Sequence, residues 1–85
     1  MWNDRIRLVE SVEPQWKSLQ ASDRTRLLRA LETIDEDPIA GAPLFEPLRG
    51  VWSFRDGDLR ILYRILPEAR AVMVLDVSKT EEPRG

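Results

Sequence analysis

The chain has 85 residues, with 13 Lys and Arg against 15 Asp and Glu for a net charge of −2, and neither cysteine nor histidine. That length allows one small domain with a thin core, and the missing residue types exclude disulfides, thiolate nucleophiles, cysteine metal sites and imidazole acid–base chemistry. No apolar run approaches the roughly 18 residues of a membrane span, and the start MWNDRIRLVE is too charged for a secretory signal, so a soluble cytoplasmic protein with no membrane contact is expected.

In chain order, Arg5 to Val12 alternates polar and apolar residues with Ile6 and Leu8 on one side, which predicts a half-buried strand. A short helix is predicted over Glu13 to Gln20. Pro14 suits its first turn, where the missing N–H costs nothing, and Trp16 and Leu19 share a face. The clearest helix is SDRTRLLRALETIDED. Ser22 or Asp23 is expected to cap it, and Leu27, Leu28, Leu31 and Ile34 recur at helical spacing as one apolar stripe. Pro38 ends it by biasing Asp37 away from helical angles. Two helices so close in sequence should form an antiparallel hairpin.

PIAGAPLFEPLRG is rich in proline and glycine and reads as a loop, with Leu44, Phe45 and Leu48 expected to pin it to the core. Three strands follow, over Val51 to Arg55, Leu59 to Leu66 and Ala71 to Val77. The first two join through RDGD, a strong hairpin signal because Asp-Gly accepts positive φ. KTEEPRG is polar and expected to fray. The order β-α-α-β-β-β predicts an α+β fold, a helical hairpin packed on one face of a small, mainly antiparallel sheet with the other face exposed.

Charge is unevenly placed. Glu10 to Asp37 holds seven acidic and four basic residues, whereas Arg49 to Lys79 holds six basic and four acidic. Side chains alternate across a strand, so Leu59, Ile61, Tyr63 and Ile65 share one face and Arg60, Leu62 and Arg64 the other. The first set is read as the helix-facing core, because burying two unpaired arginines would cost too much. By the same alternation Trp52 and Phe54 point inward, and Val51, Ser53 and Arg55 outward. Met73, Leu75 and Val77 are assigned to the core, which leaves Val72, Val74, Asp76 and Ser78 outside. The helix-free face should then hold Arg55, Arg60 and Arg64, with Asp76 the only carboxylate among these outward strand positions. Val51, Leu62, Val72 and Val74 lie between them. Such a surface is either a site for a partly anionic partner or a set of arginines lying over aliphatic side chains, with Arg60 or Arg64 paired to Asp76.

The element order, the run from EDP through LRGVWSFRDGDLRILYRI and the closing VMVLDVSK together resemble the RelE/ParE superfamily of bacterial toxins from type II toxin–antitoxin pairs. The resemblance covers nearly the whole chain and implies a single RelE/ParE-like domain over residues 1–79 with a flexible tail over 80–85. It implies a cognate antitoxin encoded by an adjacent gene. RelE-like members cut mRNA in the ribosomal A site by attack of a 2′-OH on the adjacent phosphate; ParE-like members act on DNA gyrase. Carried over by position, Arg60 matches the sheet arginine that contacts the scissile phosphate. Arg55 matches a second cation on that face, and Lys79 a basic residue after the last strand. These three are the candidate catalytic residues, and Arg64, Arg49 and Ser53 the candidate RNA contacts. The sequence departs from RelE-like nucleases at Val51 and Ser53, where they carry lysines, at Thr80, often arginine, and in lacking a late tyrosine. Tyr63 is no substitute, since it points into the core. The resemblance therefore implies a translation inhibitor with a reduced catalytic set, or alternatively a gyrase-directed toxin or a non-toxic binding module. The acidic run Asp35 to Pro38 reads as a solvated helix end, and no metal or cofactor site is expected.

Overall fold

The computed structural model describes residues 6–79; the expectations for the N-terminal residues before Ile6, for Thr80 and for the tail lie outside them. Strand β1 (Ile6–Leu8) leads into helices α1 (Val12–Lys17) and α2 (Ala21–Glu36), a short 3-10 turn (Pro38–Ala40), and strands β2 (Ala42–Pro43), β3 (Trp52–Asp56), β4 (Leu59–Leu66) and β5 (Ala71–Lys79). The sheet order is β1-β5-β4-β3-β2, with β1 parallel to β5 and the remaining neighbours antiparallel. The α+β arrangement of two helices on one side of a mainly antiparallel sheet is as expected. A fifth strand, β2, is added from within the segment read as loop.

The core lies between the helices and the sheet. It is built from Val12, Leu27, Ala30, Leu31 and Ile34 on the helical side and Leu59, Ile61, Tyr63, Val72, Val74 and Val77 on the strands, with Trp16, Leu19, Trp52, Phe54 and Ile65 packed around them. The α2 stripe runs through Ala30, whereas Leu28 is turned to solvent. Leu8 is also half exposed, because β1 spans only three residues at the sheet edge. Helix α2 begins at Ala21 with Gln20 as its N-cap and no capping side chain, so neither Ser22 nor Asp23 caps it. The Asp23 carboxylate is engaged elsewhere. The helix stops before Pro38 as anticipated, with Asp37 at φ −148° and ψ 87°.

The largest difference concerns β5. Its register against β4 pairs Leu62 with Asp76 but Tyr63 with Val74, so Leu75 is an extra residue at a β-bulge. A bulge resets the alternation. Val77 faces the core as expected, but Val72 and Val74 do so as well, whereas Met73 stands opposite outward-facing Arg64. Counting unbroken alternation back from Val77 reverses these positions. The bulge falls where β1 ends, opposite Val74. There the side-chain amide of Gln15 takes over the edge: it donates to Asp76 Oδ1 at 2.7 Å and accepts the Val77 N–H at 2.9 Å.

Val51, read as outward, is buried, and its backbone bonds to Leu44 and Leu48 of the loop that precedes β3. Of the three apolar residues expected to pin that loop, Leu44 is half-buried, whereas Phe45 is 82% and Leu48 50% exposed. Its anchor is Tyr63. The buried phenol donates to Pro38 O at 2.6 Å and accepts the Gly41 N–H at 3.2 Å. A Cβ on Gly41 would stand 2.6 Å from Ser53 O and 2.7 Å from the Tyr63 hydroxyl, so glycine is required for this close approach.

Candidate functional site

The β3–β4 hairpin sets the outer face. Its turn consists of Gly57 and Asp58, with Gly57 supplying φ +64° at the first central position, a demand only glycine meets cheaply. The in-register ladder pairs Arg55 with Arg60, Ser53 with Leu62, and Trp52 with Tyr63. Because Tyr63 and Ile61 are buried on the helix side, Ser53, Arg55, Arg60, Leu62 and Arg64 share the side no helix covers. Directly opposite side chains stand about 5 Å apart at Cβ, and like charges so placed repel.

Arg60 is half-buried, and its Nε is enclosed with no hydrogen-bond partner among the described residues. The Nε of Arg24 on α2 is likewise without a hydrogen-bond partner. Ser78 lies opposite Arg60 on β5. Arg64 is exposed and rests against Gly50, where a Cβ would come within 2.8 Å of its Nη1. Arg49 is exposed on the neighbouring loop and pairs with Glu46 at 3.2 Å. The outward carboxylate Asp76 takes its hydrogen bond from Gln15. Among the described residues no ion pair joins Asp76 to Arg60 or Arg64.

Lys79 is not brought to this face. It pairs across the ladder with core-facing Leu59, and its Nζ lies 3.0 Å from Asp23 Oδ2 and 3.5 Å from Asp58 Oδ2 on the helix side. Arg26 completes that cluster, 3.0 Å from Asp23, 3.1 Å from Asp58 and 3.6 Å from Asp56, and it also donates to the Asp56 carbonyl. The hydrogen bond from Arg26 holds the Asp58 carboxyl below its ordinary value, and the hydrogen bond to Asp23 raises the Lys79 ammonium above its own. This network ties the hairpin turn and the end of β5 to α2, and the sequence reading overlooked it. Two signals were present: the i,i+3 spacing of Asp23 and Arg26 on a helix, and simple alternation from inward Val77, which sends Lys79 inward as well. Tyr63 points into the core as expected, and burial pushes its phenol up. Among the described residues, no group of His, Cys, Asp and Glu is placed to hold a metal ion, and no helix is long and apolar enough to cross a membrane.

Fold and face together define a small sheet domain with one helix-covered side and one cationic side. Residues 2–83 match the family described as "ParE toxin of type II toxin-antitoxin system, parDE". The chain belongs to this family and is thus a type II toxin of the RelE/ParE superfamily. Comparison with curated protein sequences gave no match. Among solved structures, the RelBE2 toxin–antitoxin complex from Mycobacterium tuberculosis is similar, with TM-score 0.84 and 26% identity over 91% of each chain. The isolated E. coli RelE toxin aligns with TM-score 0.78 and 22% identity over 92% of this chain and 85% of its own. The YoeB/ParE toxin from Agrobacterium tumefaciens aligns with TM-score 0.74 and 18% identity over 91% and 99%. The last two likenesses concern the fold alone.

Proposed function

We propose that this toxin arrests translation by ribosome-dependent cleavage of mRNA, acting in the cytoplasm and held inactive by a cognate antitoxin. The observation that carries the reading is the Arg55–Arg60 cross-strand pair on the sheet face that no described helix covers. In the reaction a ribose 2′-OH loses its proton and attacks the adjacent phosphorus. The bond to the 5′ oxygen breaks, and that oxygen takes up a proton. Negative charge builds on the phosphate oxygens as this happens. Fixed guanidinium donors there are worth most in the transition state, about 10²-fold or more in rate for each well-placed group. Arg55 and Arg60 fill that role, and Ser53, Arg64 and Arg49 extend the contact along the strand. The antitoxin expectation draws support from the toxin–antitoxin complexes among the structural neighbours.

The placement of Lys79 favours a second reading, a gyrase-directed toxin that is not a nuclease. Its ammonium is committed to Asp23 on the opposite side, and Tyr63 is buried, so two groups suited to proton transfer are absent from the arginine face. One experiment separates the readings. Purified toxin is added to a translating extract and mRNA ends are mapped. New 5′ ends within codons that disappear with Arg60→Ala support cleavage. Intact message at doses that stop growth, together with blocked gyrase supercoiling, overturns it.

A further inference from the structure

Strand β1 adds a further arginine to the outer face. Ile6 and Leu8 pair with Val72 and Val74, both of which belong to the core. Arg7, between them, pairs with Met73, and Met73 pairs on its other side with outward-facing Arg64. Arg64, Met73 and Arg7 therefore form one row across β4, β5 and β1. Arg55, Arg60 and Ser78 form a second row across β3, β4 and β5, beside the hairpin turn. Strand geometry sets Arg60 and Arg64 about 13 Å apart along β4, and Arg64 and Arg7 about 10 Å apart across β5. The Arg64 guanidinium rests on Gly50, just before β3, so Arg7 stands by itself at the β1 edge. It is exposed, and among the described residues no ion pair engages it.

We infer that Arg7 is a phosphate contact for single-stranded RNA, so that a strand gripped at Arg55 and Arg60 follows β4 to Arg64 and then crosses Met73 to the β1 edge. The inference rests on the mRNA reading above and names the path of the substrate beyond the reacting phosphate. Proteins that hold single strands of any sequence set cations along the path of the backbone, and the guanidinium fork suits phosphate. The route passes over Leu62, leaving the outward carboxylate Asp76 to one side, on β5, where it accepts a hydrogen bond from Gln15. A protein partner is the competing occupant. The exposed Phe45 and Leu48 would suit one, and both lie in the loop between β2 and β3, at the sheet edge opposite β1. Leu8, the exposed apolar neighbour of Arg7, pairs with Val74 and so belongs to the helix side. Among the described residues, half-buried Met73 is what stands beside Arg7 on its own face. That gives a docking protein little to pack on, whereas a phosphate needs only the guanidinium. An edge strand also carries charge to discourage pairing with other strands, but a charge of either sign does that.

The test is a pair of binding titrations at low salt, one with a dinucleotide carrying a single phosphate and one with a single-stranded RNA of about ten nucleotides, enough to span both rows. Arg7→Ala should weaken the longer RNA by about 2- to 5-fold, as for an exposed charge pair. Arg7→Glu should weaken it more, and Arg7→Lys should keep most of the affinity. The slope of log affinity against log salt should be shallower by about 0.7 in Arg7→Ala, which has one phosphate contact fewer. The dinucleotide, held at Arg55 and Arg60, should lose affinity in Arg60→Ala and show no such loss in Arg7→Ala. Melting curves confirm that the variants fold, as expected for a side chain in water. Wild-type affinity for the longer RNA in Arg7→Ala and Arg7→Glu overturns the inference and leaves Arg7 an edge charge. Equal loss on both RNAs overturns it too, because Arg7 would then act on the reacting phosphate's site from a distance. So does normal RNA binding with weakened binding of a co-expressed antitoxin, which would make Arg7 a protein contact. If the wild type binds neither RNA, Arg55 and Arg60 hold no phosphate and the mRNA reading itself fails, an outcome distinct from unchanged binding by the variants.

Discussion

Replacing Tyr63 by Phe removes one oxygen and leaves the ring. The ring can keep its place in the core and its stacking on Trp52, with centroids 6.4 Å apart and planes at 25°. What disappears is the pair of hydrogen bonds to Pro38 O and from Gly41 N–H. Each is worth about 1 kcal/mol net. The sum is about 2 kcal/mol. For a domain of this size each kcal/mol lowers Tm by about 4–8 °C, so thermal unfolding followed by circular dichroism should shift down by about 8–16 °C. Burial holds the phenol above its ordinary value of 10.0. The contribution of the wild-type hydroxyl is therefore present below pH 10 and lost as pH rises beyond it, and the gap between the two proteins should narrow there. At 25 °C the folded variant should retain full toxicity, because the hydroxyl lies on the helix side of the sheet. A Tm within 2 °C of wild type would refute the anchoring role. Lost activity with unchanged melting would place Tyr63 in the chemistry instead.

The ionic cluster supplies two further expectations. Asp23→Asn leaves Lys79 and Arg26 without their shared, nearly buried carboxylate; a half-exposed network of this kind contributes about 1–2 kcal/mol, and a Tm equal to wild type would show that it contributes nothing. Asp58 has its acidity enhanced chiefly by Arg26, below an ordinary value of 3.8. Its contribution is present above about pH 4 and lost as pH falls further. The difference in Tm between wild type and Asp58→Asn should therefore hold from pH 5 to 8 and shrink below pH 4; a difference independent of pH would refute the pairing.

The parts of this fold that depend on local period were legible. The faces of β4 follow from strict alternation, and the end of α2 follows from Pro38. Where long-range partners decide, the sequence is silent. Strand β2 is two residues long and exists because Ala42 and Pro43 meet Ser53 and Trp52. The segment around it is held by a hydroxyl more than twenty positions away. The start of α2 illustrates a competing use of one residue: Asp23 has the chemistry of a cap but spends its carboxylate on Arg26 and Lys79. For the site, Arg55, Arg60, Ser53 and Arg64 share the outer face as alternation requires. Lys79 entered the candidate set through resemblance alone, against its own parity. Phe45 was assigned to the core because it is apolar, and only the structure reveals that it is held outward.

The bulge at Leu75 links the core to the candidate site. If Leu75 took its place in regular alternation from Val77 instead of bulging, Val72 and Val74 would face the arginine side, and Leu75 and Met73 the core. With the bulge Val72 and Val74 are buried, and half-buried Leu62 and Met73 lie beside the arginines on the outer face. The same irregularity lies where β1 has ended, so the Val77 N–H and the Asp76 carboxylate both go to Gln15. That engagement matters electrostatically. Asp76 is the one carboxylate at an outward position of β3, β4 or β5, and a salt bridge from it to Arg60 would cancel much of the attraction for an anion. By committing Asp76 to a neutral amide, the fold leaves Arg60 without that internal counter-ion. The bulge thus sets Val72 and Val74 in the core, and the Gln15 amide beside it occupies Asp76, so that a chain of net charge −2 presents Arg55, Arg60 and Arg64 together on the opposite face.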